Sequence, residues 1–338
     1  MKQINLAHKR IVISRTDSIG DVMLTLPICA WIKGQFPSAH IIFLGKGYTK
    51  PVVTGYQKVD EYIDWAVIEK ENPSEQLRSI EALNADVIVH VFPNKQIAKL
   101  AKRAKIAVRV GTSHRGFHLL SCNYRLNFTR KNSEFHEAQL NHELLRPFGL
   151  HQLPTLDEIN STTRFFSPNP VDLPDSISKA LKSAEKSTIL HPKSQGSARE
   201  WPMEHYLALT ELLLQQGHTV FFTGTAKEGA LFRASLPKHE RVIDTTGELS
   251  LEQLMVLIKS ATNLVACSTG PLHIAGYSGI RAIGLFSPRR PIHPGRWRAI
   301  GANVRILTFN DDCPTCAKGK DCDCITHISP ERVMEQIA

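Results

Sequence analysis

The sequence predicts an α/β protein made of two doubly wound domains that face each other across a cleft. Three observations carry this. At 338 residues the chain is longer than one hydrophobic core ordinarily serves. Short, continuous apolar runs alternate with helix-like segments from end to end, as expected for parallel strands covered on both faces. Between them, residues 151–174 hold four prolines (154, 168, 170 and 174) and many Ser, Thr and Asn residues, a composition suited to a linker. The expected boundaries are 1–172 for the first domain, 173–328 for the second and 329–338 for a terminal helix that packs back on the first.

Residues 11–14 (Ile-Val-Ile-Ser) read as the first buried strand. A polar turn follows, Arg15-Thr-Asp-Ser-Ile-Gly-Asp21, and then a largely apolar helix from Val22 that tolerates Pro27 near its start. Strands are expected over 40–44, 61–65, 87–91 and 106–110, and helices over 52–56, 75–83 and 94–103. Residues 111–131 break this rhythm and carry His114, Arg115, His118, Arg125, Arg130 and Lys131. Helix returns over 134–146. The second half repeats the scheme: strands over 188–191, 219–222, 242–243, 263–267, 282–286 and 304–307, and helices over 203–216, 229–236, 251–259 and 330–337. Gly217 is a suitable stop for the first of these helices.

Composition narrows the function. A formal charge of +9 favours an anionic partner. The basic residues are scattered, however, and no finger, zipper or aromatic RNA-binding motif is present, which disfavours nucleic acid. No run approaches the ~20 apolar residues that span a bilayer. The first ten residues contain no long apolar secretory segment, so a cytoplasmic protein is expected. Cys29, Cys122 and Cys267 fall in or near apolar segments and suit buried positions. Four more cysteines crowd the end as Cys313-Pro-Thr-Cys316 and Cys322-Asp-Cys324. The second pair is tighter than the usual structural zinc spacing, so no metal is expected and a reduced or partly bridged loop is the favoured state.

The chemistry is expected at the loops that follow the strands, where open α/β sheets bind ligands. In Val265-Ala-Cys-Ser-Thr-Gly-Pro-Leu-His-Ile-Ala275, a buried strand turns at Ser268, Thr269 and Gly270 into a helix that begins with Pro271, Leu272 and His273. Free N–H groups and the positive end of the helix dipole make that start suitable for an anion. The loops from Lys193 to Arg199, from Thr223 to Glu228 and from Ser287 to Trp297 open on the same side of the second domain. Arg199 could clamp a diphosphate, Lys193 could approach a phosphate, and Glu228 could accept hydrogen bonds from sugar hydroxyls. Each also has a structural role open to it: Arg199 as a surface charge, Glu228 as a helix-start residue, His273 as a satisfied buried histidine. In the first domain Asp21 follows Gly20 at a helix start and could deprotonate an attacking hydroxyl. As a cap for that helix it competes with Asp17. Neither a Gly-x-Gly-x-x-Gly nor a Gly-x₄-Gly-Lys-Ser/Thr loop occurs, which weakens dehydrogenase and P-loop kinase readings.

Arg15-Thr-Asp-Ser-Ile-Gly-Asp-Val-Met-Leu-Thr-Leu-Pro27 resembles the N-terminal signature of the lipopolysaccharide heptosyltransferases, glycosyltransferase family 9. The resemblance continues, in order, through Leu190-His-Pro192, Arg199-Glu-Trp-Pro202, Phe222-Thr-Gly224, Ser268-Thr-Gly-Pro-Leu-His273, Leu285-Phe-Ser-Pro288 and the cysteine-bearing tail. It implies a GT-B fold, two Rossmann-like domains with the acceptor in the first and the nucleotide sugar in the second. It further implies an inverting, metal-independent transferase that uses no cofactor and moves heptose from ADP-L-glycero-β-D-manno-heptose to the inner core.

Matched residue by residue, the resemblance puts the general base on Asp21 and the phosphate-contacting cation on Arg199. It puts the ribose-binding acid on Glu228 and the phosphate-binding turn on Thr269, Gly270, Pro271, Leu272 and His273. Many family members carry Asp where this chain has Ser268, which can hydrogen-bond but supplies no fixed charge, so the sugar of the donor is the least determined feature. Lys95, Arg109, His114 and Arg115 are candidates for a phosphorylated lipid A–core acceptor or, equally, a solvated basic face. The same charges suit peripheral contact with the cytoplasmic leaflet of the inner membrane. Two alternatives stay open: a same-fold transferase for another nucleotide sugar in surface polysaccharide assembly, and a non-catalytic nucleotide-sugar or anionic-glycan binding protein.

Overall fold

The apolar runs become two six-stranded parallel sheets. In the computed structural model, which describes residues 3–130, 133–196 and 198–338, the first sheet contains β1 (Arg10–Ser14), β2 (His40–Gly45), β3 (Glu61–Asp64), β4 (Val87–His90), β5 (Val108–Thr112) and β6 (Tyr124–Leu126). Its order is β3-β2-β1-β4-β5-β6. Val12 pairs with Ile42 on one side and Ile88 on the other, so the central strand is apolar on both flanks and both faces. The second sheet contains β7 (Lys186–His191), β8 (His218–Phe222), β9 (Val242–Asp244), β10 (Asn263–Cys267), β11 (Arg281–Leu285) and β12 (Val304–Leu307). Its order, β12-β11-β10-β7-β8-β9, is the same topology. The chain reverses direction across the sheet between β1 and β4 in one unit and between β7 and β10 in the other. At such switch points the loops diverge and leave a crevice at the carboxyl ends of the strands.

The chain divides at Ser167/Pro168 rather than at residue 172. The terminal helix also corrects the expectation, because it packs within the second unit. Val333 is fully buried in that core, the Ala338 amide donates to Asn263 Oδ1 (3.0 Å), and the Trp201 indole N–H donates to the Ile328 carbonyl just before the helix (2.8 Å). Three local expectations change as well. The helix expected over 134–146 is Glu137–His142, which tightens into a 3₁₀ stretch, Glu143–Phe148, where Pro147 lacks the N–H an α-helix would use. The helix expected over 229–236 instead starts earlier, at Ala226–Gly229, because Thr225 and Glu228 form a capping box; a separate 3₁₀ turn follows at Arg233–Ser235. The interval expected to be irregular contains the helix Gly116–Ser121 and the edge strand β6. Lys131, like Ser197 of the Lys193–Arg199 loop, lies outside the described residues.

Candidate functional site

In the first unit, β1 delivers the chain into the turn that precedes the short helix Ile19–Met23. Arg15 is 3% exposed and acts as a hub for three carboxylates. Its Nε donates to Asp17 Oδ1 (2.7 Å), one terminal nitrogen contacts Asp21, and the other lies 3.5 Å from Glu137 Oε1. Such a buried guanidinium needs these partners, since an unpaired charge there would cost several kcal/mol (about 3–5 by analogy with broken buried pairs). Asp21 also accepts from the Ser18 hydroxyl. Its side chain keeps 20% exposure, so the carboxylate is oriented and still reachable. Burial raises the Asp17 carboxyl above its ordinary range against the pull of Arg15, and the Asp21 charge adds to the rise. Glu137, 1% exposed, also contacts Arg130.

Arg15 and Glu137 were missed as site residues by sequence reasoning. Glu137 lies far along the chain from Asp21 and has no local motif; only the fold joins them. Asp17 does not cap the helix as proposed: Ser18 occupies the N-cap and no side-chain cap bond forms. The basic candidates separate. Lys95 starts the helix Lys95–Arg103 beyond β4, and His114 and Arg115 follow β5; all three are exposed at the carboxyl side of the sheet. Arg109 sits near the other end of β5, and its guanidinium donates to the carbonyls of Ser121 (2.7 Å) and Ile106. That structural engagement removes it from the proposed acceptor face.

In the second unit, the loops after β7, β8, β10 and β11 meet above the switch point. Trp201 anchors the first of them. It is 2% exposed, and its backbone N–H donates to Cys267 Sγ (3.3 Å) at the end of β10. This fixes the preceding residues beside the β10 turn, so that Arg199 and Ser268 line one depression together with Ser287 and Ile292. The Arg199 side chain keeps 34% exposure and contacts Asp321, which Arg289 shares at 3.1 Å. Lys193 is paired with Glu200 (3.0 Å). Glu200 also accepts from the Ser194 amide (2.8 Å) and hydroxyl (3.0 Å). Burial pushes this carboxyl up, but Lys193 and the Ser194 donors outweigh it and hold it below the usual range.

The helix Gly270–Ser278 begins at the tip of β10 with Pro271 in its first turn. Thr269 occupies the N-cap position without making the usual cap bond. Its hydroxyl is buried and has no hydrogen-bond partner among the described residues. Leaving a hydroxyl desolvated costs about 1–3 kcal/mol, so a group at this spot points to an acceptor from outside the protein. Gly270, Pro271, Leu272 and His273 form the first turn, the last three buried. Beside it, His191 Nδ1 pairs with Thr223 Oγ1 (2.9 Å), and burial lowers the imidazole to about 4, so it is neutral at physiological pH. Glu228 takes the role of a capping residue: one carboxylate oxygen accepts from the Thr225 amide (2.7 Å) and hydroxyl (2.9 Å).

The four late cysteines are all free thiols drawn into one cluster. The amide of Cys316 is the largest influence lowering the Cys313 thiol to about 6, whereas burial raises Cys316 and Cys324. No helix among the described residues is long and apolar enough to cross a membrane.

Similarity to known proteins agrees with this arrangement. Residues 76–325 match the family model of glycosyltransferase family 9 (heptosyltransferase). Lipooligosaccharide heptosyltransferase 2 of Haemophilus influenzae is 25% identical over 81% of this chain and 82% of its own length. Among solved structures, a glycosyl transferase family 9 protein of Veillonella parvula superposes with a TM-score of 0.81 at 18% identity, covering 99% of this chain and 98% of that one. The Escherichia coli ADP-heptose lps heptosyltransferase II superposes at 0.74 and 18% identity, covering 97% of each chain. The two doubly wound sheets are thus a GT-B architecture, and the chain, a glycosyltransferase, belongs to family 9, the heptosyltransferases.

Proposed function

We propose that this enzyme transfers heptose from ADP-L-glycero-β-D-manno-heptose to the inner core of lipopolysaccharide, with inversion at the anomeric carbon. The observation that carries the donor half is the buried Thr269 hydroxyl, without a hydrogen-bond partner among the described residues, at the start of the helix Gly270–Ser278, beside Arg199. The donor itself is suggested by the named substrate of the E. coli heptosyltransferase II. Thr269, the Gly270 turn through His273 and Arg199 hold the diphosphate. Lys193, Thr223, Glu228 and Ser268 lie around the nucleoside and sugar; Glu228 reaches them with the carboxylate oxygen that its capping role leaves over.

Asp21 accepts the proton of the acceptor hydroxyl as its oxygen bonds to the anomeric carbon. The bond from that carbon to the diphosphate breaks on the opposite face, and ADP leaves as the anion. Negative charge grows on the leaving group, where Arg199 and the helix start stabilise it more than in the ground state. Because fixed positive charge meets the diphosphate, the step has no need of a catalytic metal or cofactor. Lys95, His114 and Arg115 face a phosphorylated lipid A–core acceptor. Leu119 and Leu120, 54% and 77% exposed next to these charges, suit peripheral contact with an anionic leaflet of the inner membrane from the cytoplasm.

A donor panel tests this reading. ADP-heptose offered with a heptose-deficient core acceptor yields a product of inverted anomeric configuration by NMR. Preferential transfer from another nucleotide sugar replaces heptose as the donor, the outcome that Ser268 in place of the family's frequent Asp would favour.

A further inference from the structure

Outside the donor and acceptor residues, one cluster of side chains has no role in the chemistry above. The sulfur atoms of Cys313, Cys316, Cys322 and Cys324 all lie within 4.8 Å of one another. The Cys313–Cys322 pair is 3.5 Å apart and the Cys322–Cys324 pair 3.1 Å, too far for any disulfide, whose bond is about 2.0 Å. Cys313, Cys316 and Cys324 are buried and Cys322 half-buried, so the cluster is closed off from solvent on most sides. Local backbone prepares it. Cys313 precedes the single turn Pro314–Ala317, which brings Cys316 back beside it, and Gly319, at φ +69°, reverses the chain towards the second pair.

We propose that these four thiolates bind one zinc or iron ion in a closed tetrahedral site. With metal–sulfur bonds of about 2.3 Å, the sulfurs of a regular tetrahedron sit about 3.8 Å apart. The Cys322–Cys324 and Cys313–Cys322 pairs must open slightly from 3.1 and 3.5 Å, and no pair exceeds 4.8 Å, so small shifts of the sulfurs reach that geometry. Four soft thiolates select a thiophilic ion over magnesium or calcium. Four protein ligands also leave no open position for substrate, so the ion is structural and compatible with a transfer step that uses no metal.

Its effect reaches beyond the loop. The Cys316 carbonyl accepts from the Arg290 amide (3.2 Å), and Ser287 Oγ lies 3.4 Å from Cys316 Sγ. Gly319 and Asp321 engage Arg289, and Asp321 contacts Arg199. The ion therefore orders the segment after β11 and the setting of Arg199. This last consequence alone bears on the donor reading; the site itself stands without it.

The test is metal analysis of the full chain purified under reducing conditions without added metal. About one zinc or iron per chain is expected, with loss of the metal in Cys316→Ser. Cobalt(II) added to demetallated protein should give the intense visible and near-ultraviolet bands of tetrahedral thiolate coordination. Hydrogen exchange of the demetallated protein should quicken over residues 287–297 as well as 313–324. A wild-type chain that carries no stoichiometric metal and takes up neither zinc nor cobalt(II) overturns the site, as does a mass spectrum showing a disulfide among the four cysteines. Exchange that quickens only over 313–324 overturns the coupling to the neighbouring loop and leaves the donor reading to its own test.

Discussion

Thr269→Val separates a ligand-binding hydroxyl from a structural one. The residue is 7% exposed, with backbone φ −131° and ψ 167°, an extended conformation that suits a β-branched side chain. Valine preserves the shape and replaces the hydroxyl with a methyl group. An ordinary N-cap threonine would lose about 1 kcal/mol on losing its hydroxyl. Here the hydroxyl caps nothing and has no partner among the described residues, so removing it relieves a desolvated polar group. Stability should hold or rise, by up to about 1 kcal/mol. Binding moves in the opposite direction. A hydrogen bond to a charged phosphate contributes about 1.5–3 kcal/mol, so ADP affinity should fall roughly ten- to a hundred-fold. Denaturant unfolding and isothermal titration with ADP, run on the same preparations, read both quantities. A variant that unfolds more easily yet binds ADP normally would falsify the phosphate role of Thr269.

Two further outcomes follow from the packing. A Cβ on Gly276 would lie 2.5 Å from the Ile300 carbonyl oxygen, a backbone atom that cannot rotate away. Gly276→Ala should therefore cost about 3 kcal/mol and lower the melting temperature of the second unit by roughly 6–12 °C in calorimetry, and an unchanged melting temperature would refute the contact. Acid should also destabilise the protein before most carboxylates titrate. Burial lowers His90 to about 3 and His142 and His191 to about 4, against 6.5 when unfolded. As pH falls from 6.5 towards 4, the unfolded chain gains protons that the folded chain refuses, so each histidine reduces the folding constant by about tenfold per pH unit. Burial lowers His118 and His218 as well and adds to the trend, whereas Asp17, whose carboxyl is raised, works in the other direction. Urea unfolding at pH 7 and pH 5 tests the sum; equal stabilities would show that these imidazoles are not buried neutral.

The sheets were legible because a strand covered on both faces must be apolar throughout, as at Ile11–Val12–Ile13 and Leu264–Val265–Ala266. The edge strand β6 escaped because Tyr124, Arg125 and Leu126 are only half-buried or exposed, and so carry no continuous apolar signal. The helix Asp175–Ser183 escaped because the prolines before it mark a linker and only Ile177 is buried. At the site, local chemistry could be read and long-range pairing could not. Thr269 and Gly270 stand at a strand–helix junction that the sequence displays. The Arg15–Glu137 approach, the Lys193–Glu200 pair and the Arg199–Asp321 contact depend on residues brought together by the fold. The cysteines show the same limit in another form. Spacing alone does not show that the turn at Pro314–Ala317 and the reversal at Gly319 bring four unevenly spaced thiols within 4.8 Å of one another.

The assignment of heptosyl transfer with Asp21 as the base is tested most directly by one comparison. Wild-type protein and Asp21→Ala are supplied with ADP-heptose and a heptose-deficient core acceptor, and initial transfer rates are measured beside ADP affinity. With Asp21 as the base, the wild type transfers heptose, turnover in the variant falls about 10²–10⁴-fold, and ADP binding is unchanged between them. Transfer by Asp21→Ala at the wild-type rate would contradict it.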